Sequence, residues 1–191
     1  MQLNRKLNLV VPVERDTGTM YVHSTPISRE MFERYFKVIG RAYASIFAQQ
    51  LGALAGPRVA AMLLKEAAVD MGVWDNEGGV ERGLMAEIRR MTFIIMPKTG
   101  GGWDTITLDE AKTRNVIDED EISEVENAVV FFILISAMSR KQNTATMLGI
   151  TSAIWGAETT SLNCTEYMSS LKTSTKAETS GETATPSPIA Y

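Results

Sequence analysis

Three places carry residue types that could do chemistry: the run Gly100-Gly101-Gly102, the acidic stretch from Asp118 to Glu126, and the isolated His23 and Cys164. A phosphate loop needs the spacing Gly-x4-Gly-Lys-Ser/Thr, whose amides and lysine converge on one phosphate. Here Lys98 precedes the glycines and no helix starts directly after them, so Lys98 to Gly102 reads as a flexible turn. Asp118, Glu119, Asp120, Glu121, Glu124 and Glu126 could ligate a divalent cation or supply a carboxylate pair. They lack the alternating acids, central glycine and terminal glutamate of a calcium loop. Acids in a first turn are what the helix dipole favours, so a solvated helix start is the better reading. The single cysteine and the single histidine are far apart in sequence, and Cys164 lies among Ser and Thr, so packing or surface roles are expected for both. No Ser-His-Asp set, Cys-His set, metal-ligand cluster or cofactor fingerprint remains. The expectation is a binding protein, not an enzyme, with no catalytic residue, no metal and no cofactor.

The elements that would position any contact surface are mostly helical. Ser28 can cap a helix through its hydroxyl, and Ile27 and Phe32 are placed to close a hydrophobic staple. Phe32, Tyr35, Phe36, Ile39, Ala42, Tyr43, Ile46 and Phe47 recur at gaps of three and four, which puts them on one helical face. Gly52 weakens this helix, and Gly56-Pro57 is expected to end it and open a second one. The second would bury Ala60, Leu63, Leu64, Ala67 and Met71 and stop at Gly72. Before the pair, Leu7 to Glu14 and Met20 to Ser24 suit a β-hairpin, with Pro12 marking an edge strand. After it, Asp75 to Gly79 is a loop and Val80, Leu84, Ile88 and Met91 share a helix face. Thr92 to Met96 and Trp103 to Thr107 favour a second strand pair, and Thr107 with Glu110 has capping-box spacing before a short helix.

Asp118 to Glu121 open the strongest helix after the first. From Ala128 to Ile135 every position is apolar, so this half is covered all round, either as the central core helix or as an assembly interface. A further short helix is expected between Ser161 and Leu171. Residues 172–191 hold eight Ser or Thr, two Pro and no large apolar residue before Ile189, a composition that reads as disorder. The fold class expected is mainly α: a helical bundle with one or two small β-hairpins and a disordered C-terminal tail. Residues 1–24 would be a hairpin packed on the body, 25–171 the helical body and 172–191 the tail.

Composition narrows the partners. The chain has 191 residues, 45% of them hydrophobic, with a net charge of −4 and a pI near 5.2. That is enough apolar content for a real core. Scattered basic residues in an acidic chain argue against a nucleic-acid partner, which needs a clustered basic surface. The longest mainly apolar stretch, Ala128 to Met138 with Ser136 inside it, has eleven residues, against the roughly 18 that a membrane span needs. No signal-peptide pattern is visible, and one cysteine suits a reducing compartment. Eleven methionines are compatible with gap-filling in a core or with a surface that adapts to varied partners.

Three segments carry a resemblance: Leu7-Asn-Leu-Val-Val-Pro-Val-Glu-Arg-Asp, Tyr21-Val-His-Ser-Thr-Pro-Ile-Ser-Arg-Glu-Met-Phe-Glu-Arg-Tyr-Phe, and Ala55-Gly-Pro-Arg-Val-Ala-Ala-Met-Leu-Leu. Over about residues 7–157 the chain resembles tail assembly chaperones of long, flexible-tailed bacteriophages. It does so by whole segments and not by a compact motif. The resemblance implies a non-virion assembly factor in the host cytoplasm that coats the tape-measure protein, keeps it soluble and helps recruit tail-tube subunits. It also implies a mostly helical body that self-associates as a homo-oligomer, and no catalytic residues. Many such proteins have a longer form made by ribosomal frameshift, and the stretch after Leu171 would suit such a junction. Helix-in-groove binding would cover the apolar helical stretches of a tape measure. On that reading the surface around Phe131, Phe132, Leu134 and Trp155 is expected to contribute to partner binding or self-assembly. A structural tail or head-completion protein retained in the virion is the alternative.

Overall fold

Alternating apolar residues at the start of the chain form β1 (Asn8–Val13) and β2 (Met20–Ser24), an antiparallel pair with Val11 opposite Val22. The structure is a computed structural model, and it describes residues 7–15, 18–139, 146–149, 152 and 156–171. A lone hairpin is marginal in water, and this one is not alone. On one side β2 pairs with β3 (Thr92–Pro97), which pairs in turn with β4 (Trp103–Thr107). On the other side β1 pairs with β5 (Glu158–Thr160). The two expected hairpins are therefore halves of one five-stranded antiparallel sheet, ordered β4-β3-β2-β1-β5.

That sheet corrects the expected fold class. The protein is a mixed α and β structure, 57% helical among the described residues with 17% in the sheet, and not a mainly α bundle with small hairpins. The expected N-terminal hairpin, β1 and β2, lies inside the sheet. The pairing that joins the hairpins sets Tyr21 against Ile95 and His23 against Phe93. Such contacts are distant along the chain, and local periodicity carries no sign of them. β1 is not the edge strand of the sheet, but Pro12 still sits at a local edge. β5 reaches only Asn8, Leu9 and Val10, so Pro12 lies on the stretch of β1 that β5 leaves uncovered, where its missing amide is not needed.

Ser28 caps α1 (Arg29–Ala48) by accepting from the Met31 amide at 3.2 Å. The helix ends earlier than Gly56-Pro57. Gln50 at φ +57° and Gly52 at φ +47° turn the chain, and α2 (Gly52–Asp70) then runs through Pro57. A proline near a helix start interrupts little of the hydrogen-bond ladder, so tertiary packing overrides it. A π-helical turn (Glu81–Met85) continues into α3 (Ala86–Arg90). Thr107 caps α4 (Leu108–Thr113), and Asp118 with Glu121 forms a capping box on α5 (Glu119–Met138). Asn163 and Glu166 do the same for the short α6 (Cys164–Ser170).

One face of the sheet, through Leu9, Met20, Val22, Ile94 and Ile106, packs into the main core with α1, α2 and α5. α5 is central, which explains its all-round apolarity: every side chain from Val129 to Ile135 is buried. The Phe131 ring lies against the backbone of α2, where a Cβ on Gly56 would come within 2.5 Å of it. Beside that contact, the buried Asn127 accepts from the Ala61 amide at 2.9 Å and donates to the Ser123 carbonyl at 2.8 Å. It thus ties α5 to α2 one turn past Pro57. The opposite face of the sheet has a thin cover, with Tyr167 of α6 packed on Val10 and Ile95. No helix among the described residues is long and apolar enough to cross a membrane. The expected tail, 172–191, lies outside the described residues.

Candidate partner-binding face

The aromatic residues of α1 divide between two surroundings. Tyr35, Val38, Ile39, Ala42 and Ile46 are buried. Phe36 is 51% exposed and Phe47 37% exposed, while Phe32 and Tyr43 are half-buried. Spacings of four, seven and four residues set Phe32, Phe36, Tyr43 and Phe47 along one flank of the helix, with Gly40 between the two pairs. Phe32 and Phe36 meet edge to face with centroids 5.5 Å apart, and Tyr43 and Phe47 lie 4.7 Å apart. The last turn of α5 borders this flank. Tyr43 Oη and Ser139 Oγ are 3.3 Å apart, and a Cβ on Gly40 would sit 3.8 Å from Met138 Cε. Where α1 begins, a groove of about 310 Å³ runs between the two helices, with Ser136 and Ala137 on one side and Phe32 on the other.

The charge around this flank is mixed. Arg29 pairs with Glu33 at 2.7 Å and Arg41 with Asp70 of α2 at 2.6 Å, both in exposed positions. Such solvent-screened pairs contribute little and leave the aromatic strip as the main source of contact energy. On α2, Leu54, Met62 and Val69 are 71%, 59% and 54% exposed and share a solvent-facing side with Lys65. Single exposed apolar residues are ordinary. A helical row of them on one hairpin is what an interaction surface looks like.

The residues singled out from sequence stand elsewhere. Phe131, Phe132 and Leu134 are 0%, 1% and 1% exposed, so they are core and form no surface in this fold. Trp155 lies outside the described residues. Phe131 and Phe132 do line a largely apolar cavity of about 340 Å³ between β1 and α5, with Leu9, Val11, Pro12 and Val125. The exposed row on α1 was within reach of sequence reasoning. Its apolar arc, from Val38 round to Phe47, spans about 180° at 100° per residue, wider than one core contact can cover.

The other chemistry-bearing residues are engaged structurally. Gly100, Gly101 and Gly102 all have positive φ and turn β3 into β4, with the Lys98 amide on the Gly102 carbonyl at 3.0 Å. Among the acids, Glu121 receives the Arg15 guanidinium as well as closing its capping box. Glu126 and Glu81 both hold Arg89, at 2.6 and 2.8 Å, and the two carboxylates raise the guanidinium pKa further despite its partial burial. Among the described residues no group of three or more His, Cys, Asp or Glu is placed to hold a metal ion. Burial pushes the Cys164 thiol up to about 11, far from a nucleophilic thiolate at neutral pH. Burial also lowers the pKa of His23, whose Nε2 donates to the Leu162 carbonyl at 3.1 Å.

The fold and site together define a mixed sheet-and-helix protein with an exposed aromatic helix flank. Searches of family models, curated proteins and solved structures return no match to the chain.

Proposed function

We propose that the protein is a tail assembly chaperone of a long-tailed bacteriophage. It binds apolar helical stretches of the tape-measure protein in the host cytoplasm, keeps them soluble, and helps recruit tail-tube subunits. The observation that carries this reading is the aromatic row Phe32, Phe36, Tyr43 and Phe47 on α1, two of whose rings are exposed, beside a groove ended by small residues. An amphipathic helix laid into such a groove contributes apolar side chains at the spacing of its own turns. Aromatic anchors adapt to varied sequences at low cost in side-chain entropy. The segment resemblance at Leu7–Asp16, Tyr21–Phe36 and Ala55–Leu64 supports the same reading. It also brings self-association, and the exposed side of α2 gives a second surface for contacts between copies.

The test is co-expression with the tape-measure protein of the same phage, followed by a solubility assay and pull-down. The reading predicts a soluble tape measure that co-purifies with this chain. An insoluble tape measure with nothing captured contradicts it. Recovery of this chain at several copies in purified particles would favour a structural tail or head-completion protein instead.

A further inference from the structure

The turn between β5 and α6 is held to the sheet at one atom. The Leu162 carbonyl accepts from Asn8 Nδ2 of β1 at 2.7 Å and from His23 Nε2 of β2 at 3.1 Å. His23 is fully buried. Nε2 donates to a carbonyl while the buried Nδ1 has no hydrogen-bond partner among the described residues, the arrangement of a neutral ring protonated at Nε2. The rest of the attachment is slight. β5 pairs over three residues of β1, and Tyr167 is the only buried residue of α6. Gly156, at φ +64°, stands just ahead of β5, where a chain can swivel.

The side chains packed around His23 offer a second proton no free acceptor. From α6 comes the Tyr167 ring, 6.1 Å away, which itself packs with the half-buried Cys164 in an apolar cluster. The Tyr167 hydroxyl is already committed to the Glu158 carboxylate of β5 at 2.8 Å. From β2 comes Tyr21, stacked edge-on against Tyr167, and from β3 the uncharged Phe93 opposite His23. An imidazolium formed here would be a buried cation whose second N–H faces no acceptor beyond the residue's own carbonyl, a state that proteins avoid by moving the group into water.

We propose that His23 is a proton-operated latch: when Nδ1 takes a proton from solvent, residues 158–171 release from the sheet while the main core stays folded. Release gives the imidazolium water as its partner and uncovers Val10, Tyr21, Ile95 and Trp103 on the face that α6 covers. The latch is independent of what the exposed flank of α1 binds. Its direction follows from linkage. Burial lowers the closed-state pKa below the ordinary 6.5, with the carbonyls of Leu162 and of His23 itself pulling the other way without cancelling it. The open state therefore binds the extra proton first. The closed state keeps its full stability above the ordinary value and loses it as the pH falls below 6.5 toward the lowered one.

The experiment is hydrogen exchange by mass spectrometry from pH 7.5 to 5, corrected for the intrinsic pH dependence of exchange. It is run on the intact chain and on His23→Gln, which can still donate to Leu162 but does not titrate. In the native chain, protection of 158–171 should fall by up to about tenfold per pH unit below the ordinary value. Protection of β3 and α5 should hold, and His23→Gln should be flat. A pH-independent 158–171 in the native chain overturns the latch. So does an equal fall in His23→Gln, or a simultaneous loss of protection in the main core. If His23→Gln fails to fold, the single histidine gives an unambiguous NMR titration in the native chain. A lowered pKa coupled to shifts in α6 supports the latch, and an ordinary one overturns it.

Discussion

Gly56 and Phe131 show how one residue's absence of a side chain sets another's position. The ring of Phe131 occupies the space a Cβ would take on Gly56, with Ile46 closing the other side at 3.2 Å. Gly56→Ala should therefore destabilise the protein by about 1–3 kcal/mol, the usual cost of overpacking a filled core, measured as a shift in the urea midpoint. Phe132→Asp should prevent folding, seen as loss of the cooperative thermal transition by circular dichroism, because a charge would enter a site that is 1% exposed. Asn127 is buried with both ends of its amide bonded. Asn127→Ala leaves the Ala61 amide without that acceptor, and a loss of about 1–3 kcal/mol is expected in the same urea experiment. Phe131 and Phe132 were legible as apolar but not as core, since an eight-residue apolar run fits a buried helix and an assembly face equally well. Only the neighbours α1, α2 and β1 decide between them.

At the scale of elements, what was legible is what is written locally. Ser28, Thr107 and Asp118 each sit at a helix start in sequence and in structure, because a cap acts on amides two or three residues away. Asp118→Ala should cost about 0.5–2 kcal/mol through loss of the capping box, measured by thermal or urea unfolding. The Thr92 and Trp103 strands were legible from their residue types and the glycine turn between them. The α1–α2 break was not, because Gln50 turns the chain in a left-handed conformation that its residue type does not advertise. Pro57 misled for the complementary reason. Its signal is local, whereas the packing of α2 on α5 that carries the helix through it is not. β5 was invisible: a run of Glu-Thr-Thr, mostly exposed, becomes a strand only because β1 offers it an edge.

The whole molecule is a sheet whose two hairpins meet through β2 and β3, one face in a deep helical core and the other under a short C-terminal cover. That joining changed the fold class, and it rests on partners separated by some 70 residues of chain, as between Tyr21 and Ile95. No local pattern encodes such a pairing. The same architecture leaves the aromatic flank of α1 at the surface, since α2 and α5 together cover only part of a wide apolar arc. The central claim, that this flank holds the tape-measure protein, is tested most directly with Phe36→Glu/Phe47→Glu in the co-expression pull-down. Both rings lie at the surface, so the double variant should still fold in one cooperative transition, its midpoint lowered only by loss of the Phe32–Phe36 and Tyr43–Phe47 ring pairs. Two aromatic anchors each contributing more than ~1 kcal/mol predict that capture of the tape measure falls by at least about tenfold. A folded double variant that captures as much tape measure as the native chain would contradict the account.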